Sequence, residues 1–217
     1  MDPTYLLSLA EDTHWLPGHE RIFNAFSIPL SRTRYILMGE SPYPRAQSAN
    51  GYAFWDARVH EIWSPTGLSR EVNRATSLRN FIKMLLYAEG LLHPPFSQRK
   101  IASLDLTSKV QTLDLLFQNL LSQGFLLLNA SLVLSTRPKN REACAWCPFI
   151  ASLLRELACK NPSLQVLLFG KMAQSVECPQ AFCRLEAEHP YNISFITNPK
   201  VVDFFAPLHL LQNTDVR

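Results

Sequence analysis

The sequence predicts an α/β protein in which helices flank a central four-stranded parallel sheet, folded as a single domain over residues 1–217. Three short apolar runs predict buried strands, a fourth strand is predicted near residues 183–187, and apolar residues at helical spacing lie between the strands. Strands that alternate with helices form parallel sheets through right-handed crossovers. A chain of 217 residues suits one such domain, and its 47% of hydrophobic residues can fill the core.

The strands are predicted from apolar runs that end at a glycine or a polar residue. These runs cover residues 34–38, 124–129 and 164–169. A fourth strand is predicted near Cys183 to Ala187, directly before His189 and Pro190. Gly39 ends the first run, and Pro42 and Pro44 stiffen the loop that follows it. Ligands of open parallel sheets bind beyond the carboxyl ends of the strands. A pocket is therefore expected at this loop and at Asn129, which ends the second run.

Helical spacing of apolar residues predicts the elements between the strands. Thr76 opens one predicted helix, with Ser77 as its cap and Leu78 and Phe81 on its apolar side. Residues 55–75 are predicted to form an irregular loop. The predicted helices cover 4–10, 18–26, 76–86, 110–121, 146–158 and 201–211, the last of them interrupted by Pro207.

Net charge and hydropathy indicate which kinds of partner, nucleic acid or membrane, the protein is expected to have. A net charge of +3 permits a nucleic-acid partner through a local basic patch but does not by itself indicate one. No apolar stretch reaches the roughly 18 residues of a membrane span, so no membrane partner is expected. The first residues include acids and lack the basic region of a secretion signal. The expected location is the cytoplasm, in association with the nucleoid, or the nucleus.

The five cysteines favour reduced thiols because their number is odd in a chain of this size. Cys144 and Cys147 form a CxxC pair, and Cys178 and Cys183 follow later. A zinc or iron–sulfur site is conceivable from these residues, but the regular spacing of metal ligands is missing. Buried or incidental thiols are the favoured interpretation, and neither a metal nor another cofactor is expected.

The loop after the first strand resembles the first motif of the uracil-DNA glycosylases. It reads GESPYPRAQSANGYAF, where the family has GQDPYHGPxQAHGxxF with the same spacing. Further segments resemble family motifs in family order, from about residue 19 to 205: SLRNFIKML, GFLLLN, WCPF and VLLFGKMAQ. The resemblance implies the family's fold and the excision of uracil, or of a related deaminated base, from DNA.

Three residues at the predicted pocket match the family's base-binding positions. Phe54 matches the residue on which the flipped base stacks. Asn129 offers one acceptor and one donor, which suit N3–H and O4 of uracil, whereas cytosine presents the opposite pattern. Tyr43 matches the tyrosine whose ring crowds the 5-position and excludes thymine. Ordinary packing or turn-capping roles are the competing interpretation of each residue.

The resemblance also implies residues that act on the leaving base and on the DNA. His189 matches the histidine that donates a hydrogen bond to uracil O2 as charge develops there. Ile193 falls where the family inserts a leucine wedge into the duplex, although YNISFIT is equally typical of a short strand. Lys171, Ser77 and Ser194 are the candidate phosphate contacts.

Ser41 departs from the family because it stands where those enzymes have the catalytic aspartate. Two interpretations remain open. Glu40 could supply the carboxylate, since the iron–sulfur class of these enzymes begins the same loop with GExPG, although its cluster cysteines do not match here. Alternatively, catalysis is weak or lost, and the chain is a module that binds DNA or a protein partner. The predicted catalytic set is Glu40, Ser41 and His189, in a monomer that acts on DNA.

Overall fold

The computed structural model of the chain describes residues 1–12 and 14–213 as an α/β protein. Its strands are β1 (Tyr35–Gly39), β2 (Trp63–Ser64), β3 (Gly67–Leu68), β4 (Phe125–Asn129), β5 (Gln165–Phe169) and β6 (Cys183–Ala187). Its α-helices are α1 (Pro3–Glu11), α2 (Arg70–Arg74), α3 (Thr76–Ala88), α4 (Gln98–Ala102), α5 (Leu113–Ser122), α6 (Lys139–Lys160), α7 (Lys171–Gln174) and α8 (Pro199–Phe205). Short 3₁₀-helices cover Asn24–Ser27, Leu30–Arg32, Ile193–Thr197 and Ala206–Leu208.

The main sheet has four strands in the order β4-β1-β5-β6, which confirms the predicted four-stranded parallel sheet flanked by helices. β1 pairs with β4 on one side and β5 on the other, both in parallel. The register places Gly39 opposite Asn129 at the carboxyl ends of β1 and β4. β2 and β3 form a separate antiparallel hairpin.

The chain packs as two compact units. The first comprises Met1–Arg58 and Gly124–Glu186, and the second comprises Val59–Gln123 and the chain from Ala187 onward. The first unit therefore contains β1, β4 and β5, and the second contains helices α2 to α5 and α8. That the two units act as one domain over residues 1–217 stays a prediction.

The core of the first unit forms on the sheet because alternate strand residues face the same side. Ile36, Met38, Leu126, Leu128, Val166 and Leu168 contribute to one buried cluster. Helix α6 contributes Trp146 and Leu154 to that cluster, and α1 contributes Leu9. The intervening strand residue Leu127 is buried as well, as expected for a parallel sheet with both faces covered.

A buried carboxylate explains why α6 begins earlier than predicted. Glu142 lies in the first turn of α6 and is 1% exposed. It accepts hydrogen bonds from Tyr5 Oη and, at 2.7 Å, from Ser135 Oγ. Trp146 Nε1 donates to the same tyrosine oxygen at 2.9 Å. The predicted start at Trp146 is wrong because α6 already runs from Lys139 and continues through Pro148.

Three local predictions in the second unit are corrected by the structure. Ser77 does not cap α3, because Ala75 is at the cap position and Ser77 is the second helical residue. The interval 55–75 is not wholly irregular, since it contains the β2–β3 hairpin and α2. The strand interpretation of YNISFIT is wrong, since the segment Ile193–Thr197 is a 3₁₀-helix.

The predicted helix over residues 18–26 is also wrong. Only Asn24–Ser27 is helical, as a single 3₁₀ turn. The polar groups here bind a neighbouring loop instead: Arg21 Nη1 donates to Ala49 O at 3.3 Å, and Asn24 Nδ2 donates to Asn50 O at 2.8 Å. Within residues 1–12 and 14–213, no helix is long and apolar enough to cross a membrane.

Candidate functional site

The loop after β1 is joined to the end of β4 by hydrogen bonds that continue beyond the paired strands. Ala130 N donates to Gly39 O at 2.9 Å, and Ser131 N donates to Glu40 O at 3.0 Å. The backbone at Glu40 is thereby fixed beside the residues that follow Asn129. The carboxyl edge of the sheet consequently brings Glu40 and Asn129, two predicted site residues, together in the first unit.

Asn129 is a buried residue whose side-chain amide has no hydrogen-bond partner among the described residues. The residue is 3% exposed, and none of residues 1–12 and 14–213 hydrogen-bonds to its side-chain amide. The amide oxygen and nitrogen are not sealed from solvent, because in the described part of the chain the fully buried side-chain polar atom that lacks a partner is Ser48 Oγ. An amide that solvent reaches and that has no partner among the described residues is suited to a ligand that supplies a donor and an acceptor.

Gly39 is required because Asn129 lies directly against its Cα. A Cβ built on Gly39 would overlap Asn129 Oδ1 and would lie 2.8 Å from Ala53 Cβ. Ala53 is itself tied to β4, since its N–H donates to Leu127 O at 3.0 Å. The lack of a side chain at residue 39 therefore leaves the space that the amide occupies.

Tyr43 and Phe54 are brought together beside this edge, since both are half-buried and Tyr43 Oη donates to Phe54 O at 3.1 Å. Burial raises the pKa of Tyr43 above its ordinary value, and the negative charge of Asp56 raises it further, so the hydroxyl stays protonated. Phe54 has a φ of 65°, which is unusual for a bulky residue. Such strain persists only where surrounding contacts impose it, and it is frequent at functional sites.

The Glu40 carboxylate lies at the surface, in an ion pair with Lys139. Glu40 Oε1 is 3.7 Å from Lys139 Nζ, and the two side chains are 44% and 58% exposed. Pairs of this kind contribute only about 0.2–1 kcal/mol, so a competing charge can separate them. Ser41 is half-buried directly after Glu40. The structure thus brings Glu40 and Ser41 to the same loop as Tyr43.

His189 lies in the second unit, on the loop that follows β6. Its Nδ1 accepts a hydrogen bond from Tyr191 N at 3.1 Å, and its carbonyl oxygen accepts one from Asn192 N at 2.9 Å. An Nδ1 that accepts a hydrogen bond carries no proton, so the neutral imidazole has its proton on Nε2. The loop therefore presents His189 as an Nε2–H donor.

Ile193 and Ser194 begin the 3₁₀-helix on the same loop. Ile193 is 76% exposed. The Ser194 hydroxyl hydrogen-bonds to the carboxylate of Glu188, and Asn198 Nδ2 donates to Glu188 Oε2 at 2.7 Å. Burial alone would raise the pKa of Glu188, but these bonds and one from its own backbone N–H outweigh burial and lower that pKa.

The two remaining phosphate candidates belong to different units. Ser77 is half-buried in the first turn of α3, in the second unit. Lys171 is exposed at the start of α7, in the first unit, and directly follows Gly170. Each is available on its own unit for a contact with solvent or with a ligand.

Asn80 positions the backbone next to His189, and the sequence did not predict this role. It is 4% exposed on α3, and its Nδ2 donates to Pro190 O at 2.8 Å and to Tyr191 O at 3.2 Å. These bonds fix the backbone next to His189. The available signal was the asparagine within SLRNFIKML, a segment that already resembled a family motif.

The cysteines are dispersed: Cys144, Cys147, Cys159 and Cys183 are exposed, and Cys178 is buried. Burial raises the pKa of Cys147, and the nearby Cys144 and Glu177 raise it further. In the described part of the chain, no three His, Cys, Asp or Glu side chains gather as metal ligands.

A parallel sheet whose strand end presents an amide without a partner among the described residues, together with a neighbouring loop that carries two aromatic side chains, defines an α/β protein with a candidate site for a small planar ligand. The family model of the uracil-DNA glycosylase superfamily matches residues 27–215. The chain belongs to this superfamily, as the resemblance in the sequence predicted.

Individual relatives agree with this assignment. A uracil-DNA glycosylase from Thermobifida fusca is 30% identical over 190 residues, which cover 86% of this chain and 70% of that protein. The crystal structure of wild-type UNG from Nitratifractor salsuginis has a TM-score of 0.91 and 43% identity, over 98% of this chain and 87% of that one. Mimivirus uracil-DNA glycosylase shares the fold at a TM-score of 0.59 and 18% identity, over 86% and 61% of the two chains.

Proposed function

We infer that this chain is a monofunctional uracil-DNA glycosylase, which flips uracil out of DNA and hydrolyses its N-glycosidic bond in base excision repair. The observation that carries the inference at the level of the site is the side-chain amide of Asn129, which has no partner among the described residues. Uracil supplies the donor and the acceptor that this amide lacks. A related deaminated base with the same edge is an alternative substrate.

The first unit holds the residues proposed to bind the base. Asn129 Oδ1 accepts from N3–H of uracil and Nδ2 donates to O4. Cytosine has an acceptor at N3 and a donor at the 4-position, so it leaves both amide groups unpaired and is rejected. Phe54 stacks on the base, and the Tyr43 ring blocks the methyl group of thymine. The hydrogen bond from Tyr43 to the Phe54 backbone supports this assignment, because it ties the two aromatic residues together.

His189 stabilises the leaving base. As the bond between N1 and C1′ breaks, negative charge spreads to O2 of uracil, and the Nε2–H of His189 donates to that oxygen. A neutral histidine is suited to this role because its donor remains in place throughout the reaction. Water then adds to C1′ of the cationic sugar and loses a proton, which neutralises the uracil anion, so the products are free uracil and an abasic site.

Glu40 is the carboxylate proposed to offset the sugar cation, because Ser41 cannot carry a charge. Its backbone is fixed against β4, while its side chain is exposed and only weakly paired with Lys139. A carboxylate near C1′ favours the cationic transition state over the neutral substrate. Ser41 remains a candidate for orienting the attacking water through its hydroxyl.

The remaining DNA contacts are assigned to exposed or polar side chains. The high exposure of Ile193 supports a wedge that fills the space left by the extruded base. Lys171, Ser77 and Ser194 are proposed to contact phosphates, with Ser194 sharing its hydroxyl between Glu188 and the DNA. We propose that the chain acts as a monomeric single domain, in the cytoplasm with the nucleoid or in the nucleus, with a protein partner left open.

Uracil release from a single-stranded oligonucleotide tests the function. The wild-type protein should release uracil, and Asn129→Asp should release less while gaining relative activity on cytosine, because its acceptor–donor pattern differs. Asn129→Ala is the matched control, since it removes the amide without creating a new pattern and should not gain cytosine activity. Full uracil activity in Asn129→Asp would remove Asn129 from the site.

A second candidate function is a module that binds DNA or a protein without cleavage, and the serine at residue 41 favours it. Single-turnover uracil release by wild type, Glu40→Gln, Ser41→Asp and the double mutant separates the two candidates. Glu40→Gln should lower the rate of uracil release by about 10²–10⁴-fold. Adding Ser41→Asp in the double mutant should restore that rate. In Ser41→Asp alone, repulsion between the two carboxylates should blunt the gain. No release by any of the four folded proteins favours the module.

A further inference from the structure

Two large apolar side chains are exposed on the loop that carries His189. Tyr191 is 66% exposed and Ile193 is 76% exposed, and they are separated by one residue. Most large apolar residues of this chain are buried, so two of them in one short loop expose an apolar surface that a ligand can cover. Ile193 already has a proposed role as the wedge, whereas Tyr191 has none.

The backbone beneath these side chains is held firmly. Asn80 Nδ2 donates to Pro190 O and Tyr191 O, and Asn192 N donates to His189 O. The 3₁₀-helix that follows is anchored by its buried residues Phe195 and Ile196. A loop that is fixed before binding loses little entropy when its side chains meet a ligand.

Tyr191 is also directly coupled to the histidine that acts on the base. Its N–H donates to His189 Nδ1 at 3.1 Å. When the imidazole of His189 lies at O2 of the flipped uracil, the tyrosine is therefore one hydrogen bond away from that nucleotide. A single DNA strand offers unstacked bases, whose faces are a surface that an exposed aromatic ring can cover.

We propose that the Tyr191 ring stacks on a base next to the flipped uracil in the same strand, and so gives the protein a hold on single-stranded DNA. This proposal rests on the proposed function. Stacking on an aromatic ring needs no complementary strand and tolerates any sequence, because every base has a π-face. Ile193, in contrast, fills a gap that exists only in a duplex. Tyr191 therefore contributes mainly to binding of single-stranded DNA, and Ile193 contributes mainly to binding of duplex DNA.

Fluorescence anisotropy measures the binding that tests this division. The probe is an oligonucleotide with one 2′-fluoro-2′-deoxyuridine, used as a single strand and as a duplex, because fluorine at C2′ disfavours the sugar cation and prevents cleavage. Tyr191→Ala should weaken single-strand binding by about 5- to 150-fold, and Tyr191→Phe should bind like wild type. Ile193→Ala should weaken binding to the duplex more than binding to the single strand.

Leu7→Ala is the matched control, because Leu7 is 65% exposed on α1 and has no assigned role. The proposal is overturned if Tyr191→Ala binds the single strand like wild type, if Tyr191→Phe is as weak as Tyr191→Ala, or if Leu7→Ala is equally weak. It is also overturned if Ile193→Ala weakens single-strand binding as much as Tyr191→Ala does. Should Tyr191→Ala fail to fold in a thermal melt, Tyr191→Gln replaces it.

Uracil release by the wild-type protein is measured in parallel on an ordinary deoxyuridine oligonucleotide. If the wild type releases no uracil, the proposed function has failed, and the stacking role that rests on it fails with it. If the wild type releases uracil but Tyr191→Ala binds the single strand normally, only the stacking role is refuted. The two failures therefore give different results.

Discussion

Gly39→Ala tests whether the close approach of β1 to Asn129 is needed for the proposed base-binding site. The new methyl group would overlap Asn129 Oδ1 and would lie 2.8 Å from Ala53 Cβ. Contacts this close force the neighbouring atoms to move. Gly39 is a paired strand residue whose φ lies outside the positive region, so the substitution adds a clash without adding backbone strain.

The expected cost follows from overpacking in a closely packed interior. Forcing an extra methyl group into such a space lowers the free energy of unfolding by about 1–3 kcal/mol. In a chain of this size that corresponds to a fall of about 2–12 °C in Tm. Displacement of the amide by about 1 Å should lower the rate of uracil release by about 10²-fold. Thermal melts and single-turnover release measure the two effects.

A double-mutant cycle with Asn129→Ala is the control for this prediction. Removing the amide relieves the clash with Oδ1 but not the clash with Ala53, so Gly39→Ala should cost less stability in the Asn129→Ala background than in wild type. The coupling arises because the two residues are in contact. If Gly39→Ala keeps both the melting temperature and the release rate of wild type, the close approach does not exist as described.

Three further perturbations are expected to act on separate features. Tyr43→Ala should release thymine from a thymine oligonucleotide, whereas Tyr43→Phe, which keeps the ring, should not. If Tyr43→Ala still releases uracil but releases no thymine, Tyr43 does not exclude thymine. Lys171→Ala should reduce the slope of log affinity against log salt concentration by about 0.9 relative to wild type. Lys160→Ala, on α6, is the control. A slope for Lys171→Ala equal to that of wild type would remove Lys171 from the interface. Glu188 has a lowered pKa, so its carboxylate stabilises the fold above the ordinary value of 4.5 and this stabilisation is lost as the pH falls. Glu188→Gln should therefore melt below wild type at pH near 7 and converge with it at pH near 3, and a constant difference in Tm would contradict this account.

The strands β1, β4 and β5 could be predicted because each is encoded locally by an apolar run. The runs at 34–38 and 124–129 consist almost wholly of apolar residues and end at Gly39 and Asn129, so strand, burial and boundary are all indicated by a few neighbouring residues. The parallel arrangement then followed from the alternation with helices. The carboxyl edge, where Glu40 and Asn129 come together, was predictable for the same reason.

The errors arose where distant contacts determine the local structure. Ile22, Phe23 and Phe26 have the spacing of a helical face, yet Phe23 is 58% exposed and the segment turns to bind the loop at Ala49 and Asn50. That requirement comes from another part of the chain, and no local pattern contains it. The role of Asn80 was missed for the same reason, since its partners are more than a hundred residues away.

Base recognition and bond cleavage depend on this chain in different ways. The position of Asn129 is determined by the β1–β4 ladder and by the absence of a side chain at Gly39, so a mutation that abolished it would also disturb the sheet. The carboxylate of Glu40 is attached to an equally fixed backbone, but its side chain is exposed and held only by Lys139. Losing or moving that charge costs the fold almost nothing. Under the proposed roles, a catalytic carboxylate at residue 40 instead of residue 41 leaves Asn129 in place, because different contacts determine the two positions.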